Sequence, residues 1–128
     1  MPTVYIIDDD ESVRRALSRL LRSAGLDSLG FGSVAEFGEA DVAQRDGCII
    51  ADVRMPGGSG LDLPDLLRRI GRELPVIILT AQDTEPTRAA AKRAGAAGFF
   101  RKPVDDQALL DAIHWVLSGQ PQESAGSP

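Results

Sequence analysis

Short apolar segments recur along the chain between longer amphipathic ones, and this alternation limits the possible folds more than any other feature. Four such segments, residues 4–7, 48–51, 76–79 and 96–100, carry no charge and are rich in β-branched or aromatic side chains. Segments of this length and composition are typical of strands that are buried on both faces of a parallel sheet. The last one contains more small residues and is the weakest of the four. A fifth strand is predicted around residues 28–31, and its glycines place it at an edge of the sheet.

The segments between the strands have the periodicity of helices. The first helix should run from Val13 to Ala24 and end at Gly25. Five strands that alternate with five helices predict a doubly wound α/β domain. In such a domain, sites form beyond the carboxyl ends of the strands, where the strand order reverses. The other helical signals are a capping-box pattern at Ser33 and Glu36, apolar residues from Leu63 to Ile70 with Pro64 in the first turn, a segment from about Pro86 to just before Gly95, and apolar residues from Leu109 to Val116.

Composition excludes several classes of function. The formal net charge of -5 makes the domain a poor candidate for binding a nucleic-acid backbone. A single cysteine, Cys48, rules out an intramolecular disulfide. No apolar run approaches the length of a membrane span, and polar residues 8–11 follow too soon for a signal peptide, so we expect a cytoplasmic protein with no membrane contact. Residues 1–118 are expected to form one domain, and residues 119–128, which are rich in Gly, Pro, Ser and Gln, a linker or disordered tail.

Polar side chains follow four of the five predicted strands. Asp8 and Asp9 come after the first strand, Asp52 after the third, Thr80 after the fourth and Lys102 after the fifth. Three carboxylates in one crevice repel each other unless a cation such as Mg²⁺, which prefers oxygen ligands, neutralises them. A lysine and a threonine hydroxyl can bind a phosphoryl group, and a carboxylate can accept one as an aspartyl-phosphate. The strand ends alone leave open which carboxylate would be the nucleophile.

These residues and the motifs around them resemble the response-regulator receiver domain, and more narrowly the receivers of FixJ/NarL-type transcription regulators. The resemblance implies a flavodoxin-like (βα)5 fold whose five-stranded parallel sheet has the strand order 2-1-3-4-5. It also implies that the domain serves a two-component phosphorelay as a signalling switch and not as a conventional enzyme. The matching stretches, in order, are residues 4–11, 52–56, 59–61, 79–81, 94–96 and 102–103.

The resemblance assigns a role to each residue at the strand ends. Asp52 would be the phosphoacceptor, and Thr80 and Lys102 would bind the phosphoryl group. The Lys102–Pro103 peptide bond is often cis in this family. The remaining roles are those of the Mg²⁺ ligands, which would be Asp8, Asp9, Asp52 and the backbone carbonyl of Arg54, and of the switch pair, in which Phe99 swings inward as Thr80 moves toward the phosphate.

The resemblance also implies partners. A sensor histidine kinase would supply the phosphoryl group from a phosphohistidine, and phosphorylation would act through the fourth helix and fifth strand by dimerisation or by contact with an output domain. FixJ/NarL-type regulators continue into a helix-turn-helix output domain that this chain does not contain. The chain is therefore either a stand-alone receiver or a fragment of a longer regulator, and we favour the fragment. The arginines of the first helix are interpreted as a solvated face in preference to a kinase contact.

Two other functions remain as alternatives. A phosphohydrolase with an aspartyl nucleophile would need a second Asp two residues beyond Asp52, where this chain has Arg54. A pseudo-receiver that acts by protein contacts alone would not need Asp8, Asp9 or Lys102. Failure of Mg²⁺ to quench the fluorescence of Trp115 or to shift thermal stability would support the second alternative.

Overall fold

The computed structural model describes residues 2–40, 46–55 and 58–118. Within these residues, five strands alternate with five α-helices, and a short 3-10 turn (Gly60–Asp62) precedes the third helix. Pro56 and the predicted tail of residues 119–128 lie outside the described ranges. The strands are β1 (Thr3–Ile7), β2 (Asp27–Phe31), β3 (Gly47–Ala51), β4 (Val76–Thr80) and β5 (Gly98–Arg101), and the helices are α1 (Glu11–Ser23), α2 (Val34–Glu39), α3 (Leu63–Arg69), α4 (Glu85–Ala94) and α5 (Asp106–Leu117).

All strands pair in parallel, in the order β2-β1-β3-β4-β5, which confirms the predicted sheet and its strand order. β1 lies between β2 and β3, and Tyr5 lies opposite Leu29 of β2 on one side and Ile49 of β3 on the other. The chain moves outward in one direction from β1 to β2 and in the other from β3 to β5, so the strand order reverses between β1 and β3. The residues that follow these two strands therefore lie side by side at one edge of the sheet.

The sheet separates two apolar clusters, because successive side chains of a strand point to opposite faces. On one face, Val4 and Ile6 of β1 pack in a cluster with α1 and α5. On the other face, Tyr5 and Ile7 pack in a cluster with α2, α3 and α4. Burial on both faces explains why β1, β3 and β4 contain no charge in their apolar runs. None of the described helices has the length and hydropathy that a membrane crossing requires.

Most helix boundaries follow the predicted signals. Gly25, just beyond the C-cap residue of α1, and Gly95, the C-cap residue of α4, adopt the left-handed backbone conformation, with φ of +78° and +88°. Pro64 lies in the first turn of α3, where its missing N–H costs no hydrogen bond. β5 begins at Gly98, two residues later than predicted, because the Ala96 N–H still closes the end of α4 on the Ala91 carbonyl. The Ala97 N–H then makes the first hydrogen bond to β4, at the Val76 carbonyl.

Two local predictions are wrong in detail. Ser33 caps α2 by accepting a hydrogen bond from the Glu36 N–H at 3.0 Å, but the Glu36 carboxylate accepts from the N–H of Gly32 at 3.1 Å instead of from Ser33, so the capping box is not reciprocal. Ile70, predicted to continue the apolar face of α3, follows the last helical residue and is 47% exposed. The helix has already ended there, so its periodicity no longer determines which way the side chain points.

Candidate functional site

Asp8 is held firmly at the end of β1 and is only 3% exposed. Its N–H donates to the Phe31 carbonyl at 3.1 Å, which continues the pairing with β2 by one residue. Its carboxylate accepts from the Asp10 N–H at 2.9 Å and from the Lys102 ammonium. Asp10 itself caps α1, and the hydrogen bonds from Ser12 hold the pKa of the Asp10 carboxyl below its usual range. The start of α1 thus fixes the loop that follows β1.

Asp52 occupies the equivalent position after β3. Its N–H donates to the Ile7 carbonyl at 3.2 Å, and its own carbonyl accepts from the Gly60 N–H at 2.9 Å. The backbone at Gly60 passes so close that a Cβ there would lie 2.5 Å from the Asp52 carbonyl oxygen. The Asp52 carboxylate accepts from the Arg54 N–H at 3.2 Å and from Lys102. Only a glycine at position 60 therefore allows this packing.

The Lys102 ammonium joins the two carboxylates. Its nitrogen lies 2.8 Å from Oδ2 of Asp8 and 2.9 Å from Oδ2 of Asp52. The backbone N–H of Lys102 donates to the Thr80 carbonyl at 2.9 Å, and the Lys102–Pro103 peptide bond is cis, as the resemblance implied. Burial alone would lower the pKa of Lys102, but the hydrogen bonds to Asp52 and Asp8 and their negative charges outweigh it and raise the pKa above its usual value.

Thr80 is the last residue of β4 and not the first residue beyond it, and it is fully buried. Its hydroxyl oxygen accepts a hydrogen bond from the Gln82 N–H at 3.0 Å. Among the described residues, no hydrogen bond connects this hydroxyl to Asp52 or Lys102. The site therefore brings together Asp8, Asp52 and Lys102 directly, with Thr80 on the neighbouring strand.

Asp9 and Arg54 have exposed side chains, unlike the buried Asp8. In the described part of the chain, no three acidic, histidine or cysteine side chains lie close enough to form a metal cluster. Mg²⁺, however, commonly binds through one or two carboxylates and completes its coordination with water. Asp8 and Asp52 already share one cation, the ammonium of Lys102, and offer the oxygen donors that Mg²⁺ prefers. The donor set fits this metal in type.

Phe99 has a contact that the sequence did not reveal. The guanidinium carbon of Arg88 lies 5.0 Å from the centroid of the Phe99 ring, within the range of a cation–π interaction. Arg88 also forms a two-point ion pair with Asp83. The hydrogen bond that Arg88 donates keeps the pKa of the Asp83 carboxyl below its usual range. Asp83 and Arg88 are five positions apart, a spacing that does not predict a helical ion pair, so no pattern signalled this contact.

Trp115 lies far from the acidic residues. It lines an open groove of about 860 Å³ with Pro75 and Ala97, which stand at the start of β4 and β5. The acidic residues follow the opposite ends of their strands. Quenching of Trp115 by Mg²⁺ is therefore a poor test of metal binding, contrary to the prediction from sequence.

Comparison with known proteins gives consistent matches. The family model described as response regulator receiver domain matches residues 4–114. The response regulator protein TodT of Pseudomonas putida is 40% identical over 98% of this chain and 55% of its own length. The transcriptional regulatory protein FixJ of Azorhizobium caulinodans is 44% identical over 89% of this chain and 54% of its own length. The crystal structure of FixJ-N superimposes with a TM-score of 0.85 at 30% identity and covers 94% of this chain and 97% of that one. The chain thus spans about half the length of the curated relatives it matches.

Proposed function

The chain belongs to the response regulator receiver family, and from this premise we propose that it accepts a phosphoryl group on Asp52 in a Mg²⁺-dependent reaction. The observation that carries the proposal is the Lys102 ammonium, bound by Asp8 and Asp52 together at the carboxyl edge of the sheet. The side chain of Asp52 is the more exposed of the two carboxylates, at 14% against 5% for Asp8. Asp52 is therefore the better placed to meet a phosphodonor.

The reaction needs little beyond positioning and charge neutralisation. A carboxylate oxygen of Asp52 forms the new P–O bond, and the P–N bond of a phosphohistidine on a sensor histidine kinase breaks. Asp8, Asp9, Asp52 and the backbone carbonyl of Arg54 would hold Mg²⁺, which when bound neutralises charge on the phosphoryl oxygens. Lys102 would exchange a carboxylate partner for a phosphoryl oxygen.

The proposed switch consists of Thr80 and Phe99. The Thr80 oxygen accepts from Gln82 and leaves its own proton available to donate, so it can bind a phosphoryl oxygen. Movement of Thr80 would draw the ring of Phe99 inward and change the face formed by α4 and β5. The readout would be a homodimer or a DNA-binding output domain of a longer cytoplasmic regulator, so the domain is a signalling module and not a conventional enzyme.

The test is phosphorylation by acetyl phosphate with and without Mg²⁺, followed by intact mass. Wild type should gain one phosphate only when Mg²⁺ is present, and Asp52→Asn should gain none. Asp65→Asn, on the exposed surface of α3, is the matched control and should behave as wild type. Equal labelling of Asp52→Asn and wild type would overturn the assignment. A wild type that gains no phosphate and shows no Mg²⁺-dependent change would instead favour a pseudo-receiver.

A further inference from the structure

The carbonyl of Asp8 has a partner that the proposed chemistry does not use. The N–H of Asp8 still pairs with β2, but its carbonyl receives the Arg14 guanidinium, with Nη1 2.6 Å from the oxygen. This bond reaches from the first turns of α1 back to the end of β1. The other arginines of α1, Arg15, Arg19 and Arg22, are exposed, whereas Arg14 is half-buried. Arg14 is thus not part of the solvated face that the sequence predicted for these arginines.

The Arg14 side chain passes close to Gly30 of β2 and to Gly32, which directly follows the strand. A Cβ at Gly30 would lie 3.3 Å from Cδ of Arg14, and a Cβ at Gly32 would lie 3.6 Å from its Nη1. The Arg14 side chain therefore passes over the strand at Gly30, where an added side chain would crowd it. A hydrogen bond at 3.1 Å between the hydroxyls of Ser18 and Ser28 aligns the helix with the strand one turn further along. Gly30 made β2 harder to predict from the sequence, and in the structure it leaves room for Arg14.

A fixed Asp8 carbonyl also fixes the start of Asp9. The peptide unit is planar, so the carbonyl of Asp8 and the N–H of Asp9 turn together. The side chain of Asp9 is exposed and, within the described residues, makes no hydrogen bond or ion pair of its own. Its direction therefore depends on the backbone that carries it. The Asp8 carboxylate accepts from the Asp10 N–H, so hydrogen bonds to Asp8 hold the backbone on both sides of Asp9.

We propose that Arg14 is a positioning residue that clamps the main chain at Asp8 and thereby aims the Asp9 carboxylate at the Mg²⁺ site. This inference rests on the proposed function, since it assumes that Asp9 contributes to metal binding. The bond from Arg14 acts on the backbone and not on the metal, in the manner of the outer partners that orient metal ligands.

Charge and positioning predict opposite effects of removing Arg14. A guanidinium beside an acidic site repels a divalent cation, so its removal would strengthen Mg²⁺ binding if charge were its only role. If Arg14 positions Asp9, its removal weakens Mg²⁺ binding. Gly30→Val separates the two effects further, because it fills the path of the Arg14 side chain and leaves the charge in place.

The experiment is a Mg²⁺ titration of the ¹⁵N-labelled protein at constant ionic strength. Arg14→Met and Gly30→Val should each raise the Kd for Mg²⁺ about tenfold, the lower end of the effect of losing such an outer partner. Arg15→Met removes the same charge from the same helix, where the side chain pairs with Glu11 at the surface, and should stay within about twofold of wild type. Binding by Arg14→Met that is as tight as wild type or tighter, or equal weakening in Arg15→Met, would overturn the proposal.

A second readout needs no metal. The Asp10 N–H donates to the Asp8 carboxylate, so its hydrogen exchange should be several-fold faster in Arg14→Met and unchanged in Arg15→Met. If wild type binds no Mg²⁺, the proposed function fails in its metal requirement. Hydrogen exchange at the Asp10 N–H still tests whether Arg14 restrains the backbone at Asp8. Unchanged exchange in Arg14→Met would show that the loop does not depend on this arginine.

Discussion

Replacing Lys102 with Met tests whether the site is held together by its central cation. The substitution keeps the length and most of the apolar stem of the side chain but removes the ammonium. Two carboxylates would then face each other without a counter-charge, and Asp8 would remain almost fully buried. The two charged hydrogen bonds of 2.8 and 2.9 Å are short and their lysine is only 22% exposed, so solvent screens them weakly.

The expected loss is about 3 kcal/mol of unfolding free energy. Removing one partner of a buried ion pair costs about 3–5 kcal/mol, and the partial exposure of Lys102 and Asp52 argues for the lower end. Urea unfolding followed by Trp115 fluorescence and circular dichroism measures the loss. Lys92→Met is the matched control, because Lys92 is the only other lysine in the sequence and lies exposed in the last turn of α4. It should change stability by about 0.5 kcal/mol or less.

The pKa of Lys102 determines how the stability loss in Lys102→Met should change with pH. The pKa of Lys102 is higher in the folded protein than its ordinary value of 10.5, so its stabilising contribution is complete at neutral pH. That contribution disappears as the pH rises through the folded pKa. The difference between wild type and Lys102→Met should therefore shrink above pH 10.5. A difference below about 1 kcal/mol at pH 7, or one that grows in alkali, would refute the reasoning.

One further substitution, at Tyr5, and one chemical reaction, at Cys48, test the core. The Tyr5 hydroxyl is buried and has no hydrogen-bond partner among the described residues, so Tyr5→Phe should raise the unfolding free energy by about 1 kcal/mol while the ring keeps its contacts with Phe31 and Phe37. A loss in urea unfolding would show that the hydroxyl is satisfied. Burial raises the pKa of the Cys48 thiol to about 12, so a disulfide reagent at pH 8 should modify the protein only after denaturation. Rapid modification of the native protein would contradict this.

The sheet was predictable from sequence because its signal is strong. The runs that became β1, β3 and β4 are apolar on both faces, and their short length and β-branched side chains favour a buried parallel strand over a buried helix. The proximity of Asp8, Asp52 and Lys102 was also predictable, since the carboxyl ends of parallel strands share one edge. The chain lengths between strands do not reveal which polar atoms bond, so the bridging of Asp8 and Asp52 by Lys102 was visible only in the structure.

Long side chains account for most of what the sequence missed. Arg14 and Arg88 both lie in helices with several basic residues, where composition alone favours a solvated face. Their actual partners are the Asp8 carbonyl and the Phe99 ring, which adjacent elements bring within reach. For Arg14, Gly30 of β2 was the available sign in the sequence. A glycine inside a strand often marks the close approach of a neighbouring group, and here that neighbour is the Arg14 side chain.

The two apolar clusters on opposite faces of the sheet have a mechanical consequence. Phe99 and Phe100 are adjacent in β5, yet the first packs with the α4 face and the second with the α1 and α5 face. The proposed rearrangement of Phe99 would therefore act first on the cluster that packs with α2, α3 and α4, whereas Phe100 belongs to the cluster that packs with α1 and α5. Because the sheet separates the two clusters, a movement of Thr80 that reached Phe99 would act on the face that packs with α4. The sheet would thus confine the proposed rearrangement to one surface of the domain.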